Sequence, residues 1–137
     1  MDWYFKVLRQ YSDFDGRARR SEYWMFNLFN VIAIGVLMVI TAGFYALFES
    51  EIIIEIAMGL GVLYGLFIFV PSIAVTVRRL HDVGKSGWFL LIRLIPYIGG
   101  IWIFVLTVTD SDHGTNKYGE NPKGLGNSND IDQIGTE

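Results

Sequence analysis

Three long apolar segments are the feature that most constrains how this chain folds. They cover residues 23–48, 52–77 and 88–109, and the first two contain no lysine or arginine. A helix rises about 1.5 Å per residue, so about 20 apolar residues cross the hydrocarbon core of a bilayer. Hydrophobic residues make up 52% of the chain and charged residues 18%, which is little charge for a soluble domain. The sequence therefore predicts an all-α integral membrane protein with three transmembrane helices.

The charges around the apolar segments predict the orientation of the chain. Cations precede the first segment and recur after the second, at Lys6, Arg9, Arg17, Arg19, Arg20, Arg78, Arg79 and Lys85. The short connection between these segments carries only acids, Glu49 and Glu51, with Glu55 just beyond. Because cationic flanks stay on the cytoplasmic side, we expect a cytoplasmic N-terminus. The first apolar segment is too long for a signal peptide, so we expect it to direct insertion itself.

Residues 2–15 predict an amphipathic helix. Their aromatic and aliphatic side chains recur at helical spacing, while the charged side chains lie largely opposite. At about 14 residues the segment is too short to span a bilayer, so we expect it to lie in the headgroup region. The alternative is an ordinary amphipathic helix packed on its own protein.

Small residues four apart, Ala57, Gly61 and Gly65, form a stripe along the second predicted span. Such a stripe lets two helix backbones approach closely. Packing against the first span is the favoured interpretation, and homodimerisation is the alternative.

Pro71 cannot donate a backbone hydrogen bond, so we expect it to kink this helix. Asn27 and Asn30, in the first span, are expected to face other helices because an amide facing lipid is costly.

The third apolar segment has features that complicate a simple crossing. Arg93 lies about one and a half turns into it, and Pro96, Gly99 and Gly100 interrupt its middle. One kinked span is the favoured interpretation, since only two other helices would cover a re-entrant hairpin. A single crossing places the polar C-terminal tail outside the cell, whereas a hairpin places it inside.

The two cation-rich regions are predicted to meet at the cytoplasmic face. Together they contribute a set of charged and polar side chains: Arg17, Arg19, Arg20, Glu22, Arg78, Arg79, His81, Asp82 and Lys85. The plainest interpretation is topological, in which the charges set the orientation and pair with each other. Arg78 and Asp82 can pair in this way at a spacing of four. Alternatively, the forked guanidinium groups bind phosphate or anionic headgroups.

Catalysis and metal binding find little support in the sequence. His81 and Asp82 are adjacent on a helix and point about 100° apart, so they cannot form a dyad with each other. The sequence DSDHG from Asp110 resembles the start of a calcium loop, but position 12 of that loop is Asn121 rather than an acid. We therefore predict no metal, no cofactor and no enzyme activity. The net charge of −3 gives no indication of a nucleic-acid partner.

Three motifs are similar to those of one family of bacterial proteins. GRARRSEYW precedes the first span, SIAVTVRRLHDVGKSGW closes the second, and NKYGENP lies in the tail. Over residues 3–124 they resemble domain-of-unknown-function family 805, whose members are small bacterial inner-membrane proteins. The resemblance implies a helical multi-span fold in the inner membrane and implies no established activity. Arg93, where an apolar residue is expected, and the lack of a Pro-Gly opening in the tail depart from the family pattern.

These observations predict a single membrane domain over residues 1–124, followed by a disordered tail over 125–137. The predicted function is that of a non-enzymatic accessory or interaction subunit, whose cytoplasmic-face cluster binds anionic lipid headgroups or a partner. One alternative is an oligomeric transport or channel component. Another is a membrane-embedded enzyme acting on a phospholipid-like substrate. Homo-oligomerisation and a membrane-protein partner both stay open at this point.

Overall fold

The computed structural model describes residues 2–127, and these are largely helical. The elements in chain order are α1 (Asp2–Arg9), α2 (Arg20–Phe48), α3 (Glu51–Asp82), a 3₁₀ helix (Gly87–Leu94) and α4 (Ile98–Val108). Within residues 2–127 the β pairing is limited to an isolated bridge between Asn116 and Gly119. The prediction of an all-α protein is therefore confirmed, and most of the predicted disordered tail lies outside the described residues.

Helices α2 and α3 are long and apolar enough to cross a bilayer. They contain 29 and 32 residues, which is about 43 and 48 Å at 1.5 Å per residue. In each helix, the most apolar stretch of 18 residues has no side chain buried inside the protein. The most apolar parts of the predicted spans at residues 23–48 and 52–77 therefore face outward and not into a protein core.

A polar contact joins α2 to α3 within the two predicted spans. The Tyr64 hydroxyl donates to the side-chain oxygen of Asn30 at 2.6 Å, and the Asn30 amide donates to the Phe26 carbonyl at 2.8 Å. Asn30 thus faces the neighbouring helix, as the sequence predicts, whereas the Asn27 amide donates to the Tyr23 carbonyl of its own helix at 2.8 Å. Pairing these groups with each other avoids exposing either of them to hydrocarbon.

Helix α1 packs on the protein itself and is shorter than the sequence predicts. Val7 is fully buried in a cluster with Phe26 of α2. This contact matches the alternative interpretation, a helix packed on its own protein. The helix ends at Arg9, so its predicted extension to residue 15 is wrong. The Asp13 side chain accepts from the backbone N–H of Asp15 at 3.1 Å, and such a local turn competes with helix.

Helix α3 runs unbroken through Pro71, and a tyrosine compensates for the missing backbone donor. Proline has no N–H, so the carbonyl of Phe67, four residues earlier, loses its partner within the helix. The Tyr11 hydroxyl donates to that carbonyl at 2.9 Å. Where the sequence predicts only a kink, the structure adds an attachment point for the segment that follows α1.

The third apolar segment folds back on itself. Gly87 begins it so close to α3 that an added Cβ would lie 2.8 Å from the Val77 side chain. The segment then returns to the same end of α3, where the carbonyls of Thr107 and Thr109 accept hydrogen bonds from Arg79. The prediction of one kinked crossing over residues 88–109 is therefore wrong, and the hairpin alternative describes the backbone path.

The 3₁₀ helix and α4 form the two arms of this hairpin, residues 87–108. They contain 8 and 11 residues, so each arm is about 16 Å long at about 2.0 and 1.5 Å per residue. At the tip, Ile95 precedes a proline and is extended, and Tyr97 has a left-handed φ of 65°. An added Cβ at Gly99 would lie 2.0 Å from the Ile92 carbonyl oxygen of the opposite arm. Pro96 and Gly99 thus permit the reversal of the chain.

The small-residue stripe does not bring α3 close to α2. No atom outside the helix backbone lies within 4 Å of an added Cβ at Gly61 or Gly65. Ala57 and Gly61 instead line an open apolar groove of about 750 Å³ between the two helices, together with Leu37 and Thr41. The favoured close packing of the stripe against α2 is thus not seen at these glycines, and homodimerisation stays a prediction.

The two glycines near the hairpin tip allow a matched test of the fold. We expect Gly99→Ala to lower the free energy of unfolding by about 1–3 kcal/mol, because the methyl group collides with the opposite arm. Gly100→Ala is the control, since nothing lies within 4 Å of its added Cβ. Chemical unfolding in detergent measures both variants. Equal effects of the two substitutions would contradict the packing of the arms.

Candidate functional site

The two cation-rich motifs meet at the end of the α2–α3 pair. The backbone N–H of Ala18 donates to the Arg78 carbonyl at 3.1 Å, which ties the segment before α2 to the last turns of α3. Gly16 makes this turn with a φ of 78°, a conformation that favours glycine. His81 lies beside it, with Nδ1 at 3.3 Å from the Gly16 carbonyl oxygen. The predicted meeting of the two regions is therefore present in the fold.

Asp82 lies at the centre of the cluster and is fully buried. Its Oδ1 accepts from Arg17 Nε at 2.9 Å, and its Oδ2 accepts from Arg79 and from the Ser111 hydroxyl. The ion pair between Arg78 and Asp82 that the helical spacing suggests does not form. Arg79 forms the ion pair with Asp82 instead, because it is three residues from Asp82 and its side chain points to the same buried side of α3. We call Arg17, Arg79 and Asp82 the core triad.

Backbone carbonyls accept most of the remaining hydrogen bonds of the core triad. Arg17 Nη1 donates to Gly114 at 2.7 Å and Nη2 donates to Asp112 at 2.7 Å. Arg79 Nε donates to Thr107 at 3.2 Å. The last carbonyls of α4 have no partner within their own helix, so a guanidinium group satisfies them well. The triad therefore holds both the end of the hairpin and the start of the tail, residues 110–127.

Arg19 and Arg20 extend these contacts at the rim of the cluster. Arg19 donates to the Pro122 carbonyl and stacks on the ring of Trp3, with its guanidinium carbon 5.5 Å from the ring centre. Arg20 donates to the Val108 carbonyl at 2.8 Å and pairs with Asp110 at 3.2 Å. Both side chains remain partly exposed. They consequently face both the tail and the surroundings of the protein.

His81 is covered by the tail. Its ring stacks on that of Tyr118, with centroids 3.7 Å apart and an angle of 4° between the planes. The Asn116 amide donates to the His81 carbonyl at 3.0 Å. Burial lowers the pKa of His81, which favours the neutral imidazole. The exposed fraction of His81 is only 8%, so a substrate has little access to this ring.

Glu22 and Arg78 belong to a second buried group between α1, α2 and α3. Glu22 Oε1 accepts from Lys6 Nζ at 2.8 Å, and Arg78 Nη1 donates to the Gln10 side-chain oxygen. Burial lowers the pKa of Arg78, and the charge of Glu22 opposes that shift. Lys85 stands apart from both groups. It is exposed, with Nζ 5.9 Å from the centre of the Phe89 ring.

The tail supplies contacts to the site that the residue pattern does not predict. Asp112, Gly114 and Tyr118 hold the core triad and His81, although the sequence predicts only that the tail is polar. Asn121 and Asn127 are buried and bonded to each other, with the Asn127 side-chain oxygen accepting from the Asn121 N–H at 2.8 Å. The sequence feature that could have indicated these contacts is the NKYGENP motif, which forms part of the family resemblance but has no role assigned by it.

Removal of the charge on Asp82 tests whether the core triad holds the tail. Asp82→Asn leaves Arg17 and Arg79 buried without a counter-charge, so we expect a loss of about 3–5 kcal/mol of stability. The tail should also become sensitive to protease. Asp110→Asn is the matched control, because Asp110 is exposed and its pairs with Arg20 and Lys123 contribute little. A protease-resistant tail in Asp82→Asn would contradict this role.

The chain is similar to known bacterial membrane proteins. The family model described as "Protein of unknown function (DUF805)" matches residues 11–120. Inner membrane protein YhaH of Escherichia coli strain K12 is 44% identical over 126 residues, which cover 90% of this chain and 98% of the relative. Inner membrane protein YhaI of the same strain is 40% identical over 124 residues, covering 90% and 97%. No solved structure matches the chain. The chain therefore belongs to the DUF805 family of bacterial inner-membrane proteins.

Proposed function

We propose that this protein is a non-enzymatic accessory subunit of the bacterial inner membrane, whose cytoplasmic boundary binds anionic lipid headgroups. In this proposal α2 and α3 cross the bilayer and the hairpin enters it from the cytoplasmic side. The N-terminal segment, the core triad and the tail then all lie in the cytoplasm. The observation that carries the proposal is the set of cations that the protein's own contacts leave exposed beside aromatic rings.

The distribution of charge supports this orientation. Cations gather at the end of the helix pair that holds the core triad, whereas the opposite end carries Glu49, Glu51 and Glu55. Cationic flanks stay in the cytoplasm. The hairpin arms of about 16 Å reach roughly half of a hydrocarbon core about 30 Å thick, which suits a re-entrant segment.

In this proposal, only some of the residues that the sequence predicts to bind headgroups make that contact. Arg17 and Arg79 donate to the Asp82 carboxylate and to the protein's own carbonyls, so the role of the core triad here is to hold the tail. Arg19 and Lys85 remain accessible and lie beside the rings of Trp3 and Phe89. Cations next to aromatic rings at helix ends are typical of a membrane–water boundary.

Further exposed cations join this boundary. Lys6 stands over the Trp3 ring at 5.9 Å, and Arg9 is exposed at the end of α1. Each basic residue near an anionic surface contributes roughly 1 kcal/mol of binding free energy. Lys6, Arg9, Arg19 and Lys85 together therefore provide an attraction that depends on anionic lipid.

The geometry favours this role over the enzymatic and transport alternatives. The ring of His81 lies under Tyr118, and Asp82 accepts three hydrogen bonds, so neither offers an open general base. Within the described spans, Asn30 and Tyr64 bond to each other, and the Thr41 hydroxyl donates to the Leu37 carbonyl at 2.7 Å. These polar groups therefore satisfy each other or their own helix, and the groove that Thr41 and Tyr64 border is lined mainly by apolar side chains.

Labelling of introduced cysteines tests the topology, because the chain has no cysteine of its own. We expect Glu120→Cys, on the exposed surface of the tail, to resist a membrane-impermeant maleimide in intact spheroplasts and to react after lysis. Glu51→Cys, at the exposed start of α3, should react in intact spheroplasts. Labelling of Glu120→Cys from outside would contradict a cytoplasmic tail and hence the re-entrant hairpin.

Native mass spectrometry tests the headgroup contact. The double variant Arg9→Gln with Lys85→Gln should lower retention of phosphatidylglycerol relative to phosphatidylcholine by about 30-fold, at about fivefold per charge. Lys117→Gln with Lys123→Gln is the control of equal charge, because both lysines lie on the tail. The proposal fails if the two double variants retain phosphatidylglycerol equally well. Unfolding in detergent should be unchanged in both.

A further inference from the structure

Two buried side chains of opposite charge meet where α1, α2 and α3 converge. Glu22 is 0% exposed and Arg78 is 2% exposed. Each has one hydrogen bond to the N-terminal segment. Lys6 Nζ donates to Glu22 Oε1, and Arg78 Nη1 donates to the side-chain oxygen of Gln10. The backbone beside them is also fixed, because the Arg78 carbonyl accepts from the Ala18 N–H at 3.1 Å. The side chains therefore have little freedom to reach other partners.

Three atoms of this pair have no hydrogen-bond partner among residues 2–127. They are Oε2 of Glu22 and Nε and Nη2 of Arg78, and all three are buried. A buried charged atom without a partner is costly, and native structures rarely leave one unsatisfied. Glu22 and Arg78 also form no direct ion pair within the described part of the chain, although the charge of Glu22 acts on Arg78. The unsatisfied atoms thus belong to two buried groups of opposite charge that are near enough to influence each other.

The chemistry of these atoms specifies the ligand. The carboxylate oxygen requires a donor, and the guanidinium nitrogens require acceptors. An anion without a proton cannot donate to Glu22, and a metal cation cannot accept from Arg78. The ligand must therefore be able both to donate and to accept, and it must be small because all three atoms are buried. Water meets these conditions.

We propose that Glu22 and Arg78 form a binding site for ordered water. A water molecule accepts from Arg78 Nε or Nη2 and donates to Glu22 Oε2, with hydrogen bonds of about 2.9 Å. The hydrated pair joins the two basic motifs and supports the contacts of Lys6 and Gln10 in the N-terminal segment. The three atoms of this site are buried and so do not reach the headgroups, and the site shares only Lys6 with the proposed headgroup contact.

Solution NMR of the full chain in detergent micelles tests the site with an internal control. We expect magnetisation transfer from water to the Nε–H of Arg78 in a sample with ¹⁵N-labelled arginine. Arg79 is equally buried, but its Nε donates to the Thr107 carbonyl at 3.2 Å, so its transfer should be weaker. The variants Arg78→Lys and Arg79→Lys assign the two signals. Absence of water transfer at Arg78 would overturn the proposal.

A substitution at Glu22 extends the test. Glu22→Met removes both carboxylate oxygens while filling similar volume, so the water transfer to Arg78 should fall at least severalfold and the Arg79 signal should not move. If Glu22→Met does not fold, Glu22→Gln replaces it, and only the Arg78 Nε–H resonance should then shift. An Arg78 signal that is unchanged in a folded Glu22 variant would count against bridging water.

Discussion

The described fold depends on the two buried ion pairs that the Asp82 carboxylate forms. The carboxylate neutralises Arg17 from the segment before α2 and Arg79 from its own helix, and all three side chains are almost fully buried. A buried ion pair is stable only when its remaining hydrogen-bonding groups are also satisfied. Here the hairpin end and the tail supply those partners as carbonyl oxygens. Segments far apart in sequence are thereby held at one end of the helix pair.

The same arrangement explains why the third apolar segment reverses. Arg79 donates to the carbonyls of Thr107 and Thr109, which places the end of the hairpin at the same end of α3 where the hairpin begins at Gly87. The absence of a side chain at Gly99 lets the arms touch, and Arg20 satisfies the Val108 carbonyl at the end of α4. An unpaired carbonyl away from water would be costly, so the arginines and the hairpin stabilise each other. Arginines that suggest ligand binding when read in isolation thus have a structural role within the fold.

Some of this architecture follows from residue patterns, and some does not. The two long spans are predictable because uninterrupted apolar length is a local property. The contact of Asn30 with a neighbouring helix is predictable from the cost of an amide in lipid. The choice of Arg79 over Arg78 as the partner of Asp82 is not, because spacings of three and four both permit pairing along a helix. The bond from Tyr11 to the carbonyl that Pro71 leaves without a partner depends on a loop whose path the sequence does not specify.

The sequence by itself determined the helical class, the two membrane-length helices, the family and the set of charged residues between the apolar segments. Apolar length, helical period and charge are properties of neighbouring residues, so they can be read without coordinates. Only the tertiary structure decided that the third segment is a hairpin, that the tail covers His81, and that Arg17, Arg79 and Asp82 form one buried group. These outcomes depend on hydrogen bonds between residues 28 to 97 positions apart, such as those of Arg79 with Thr107 and Arg17 with Gly114. Many chain paths satisfy the same local pattern, and only packing selects among them.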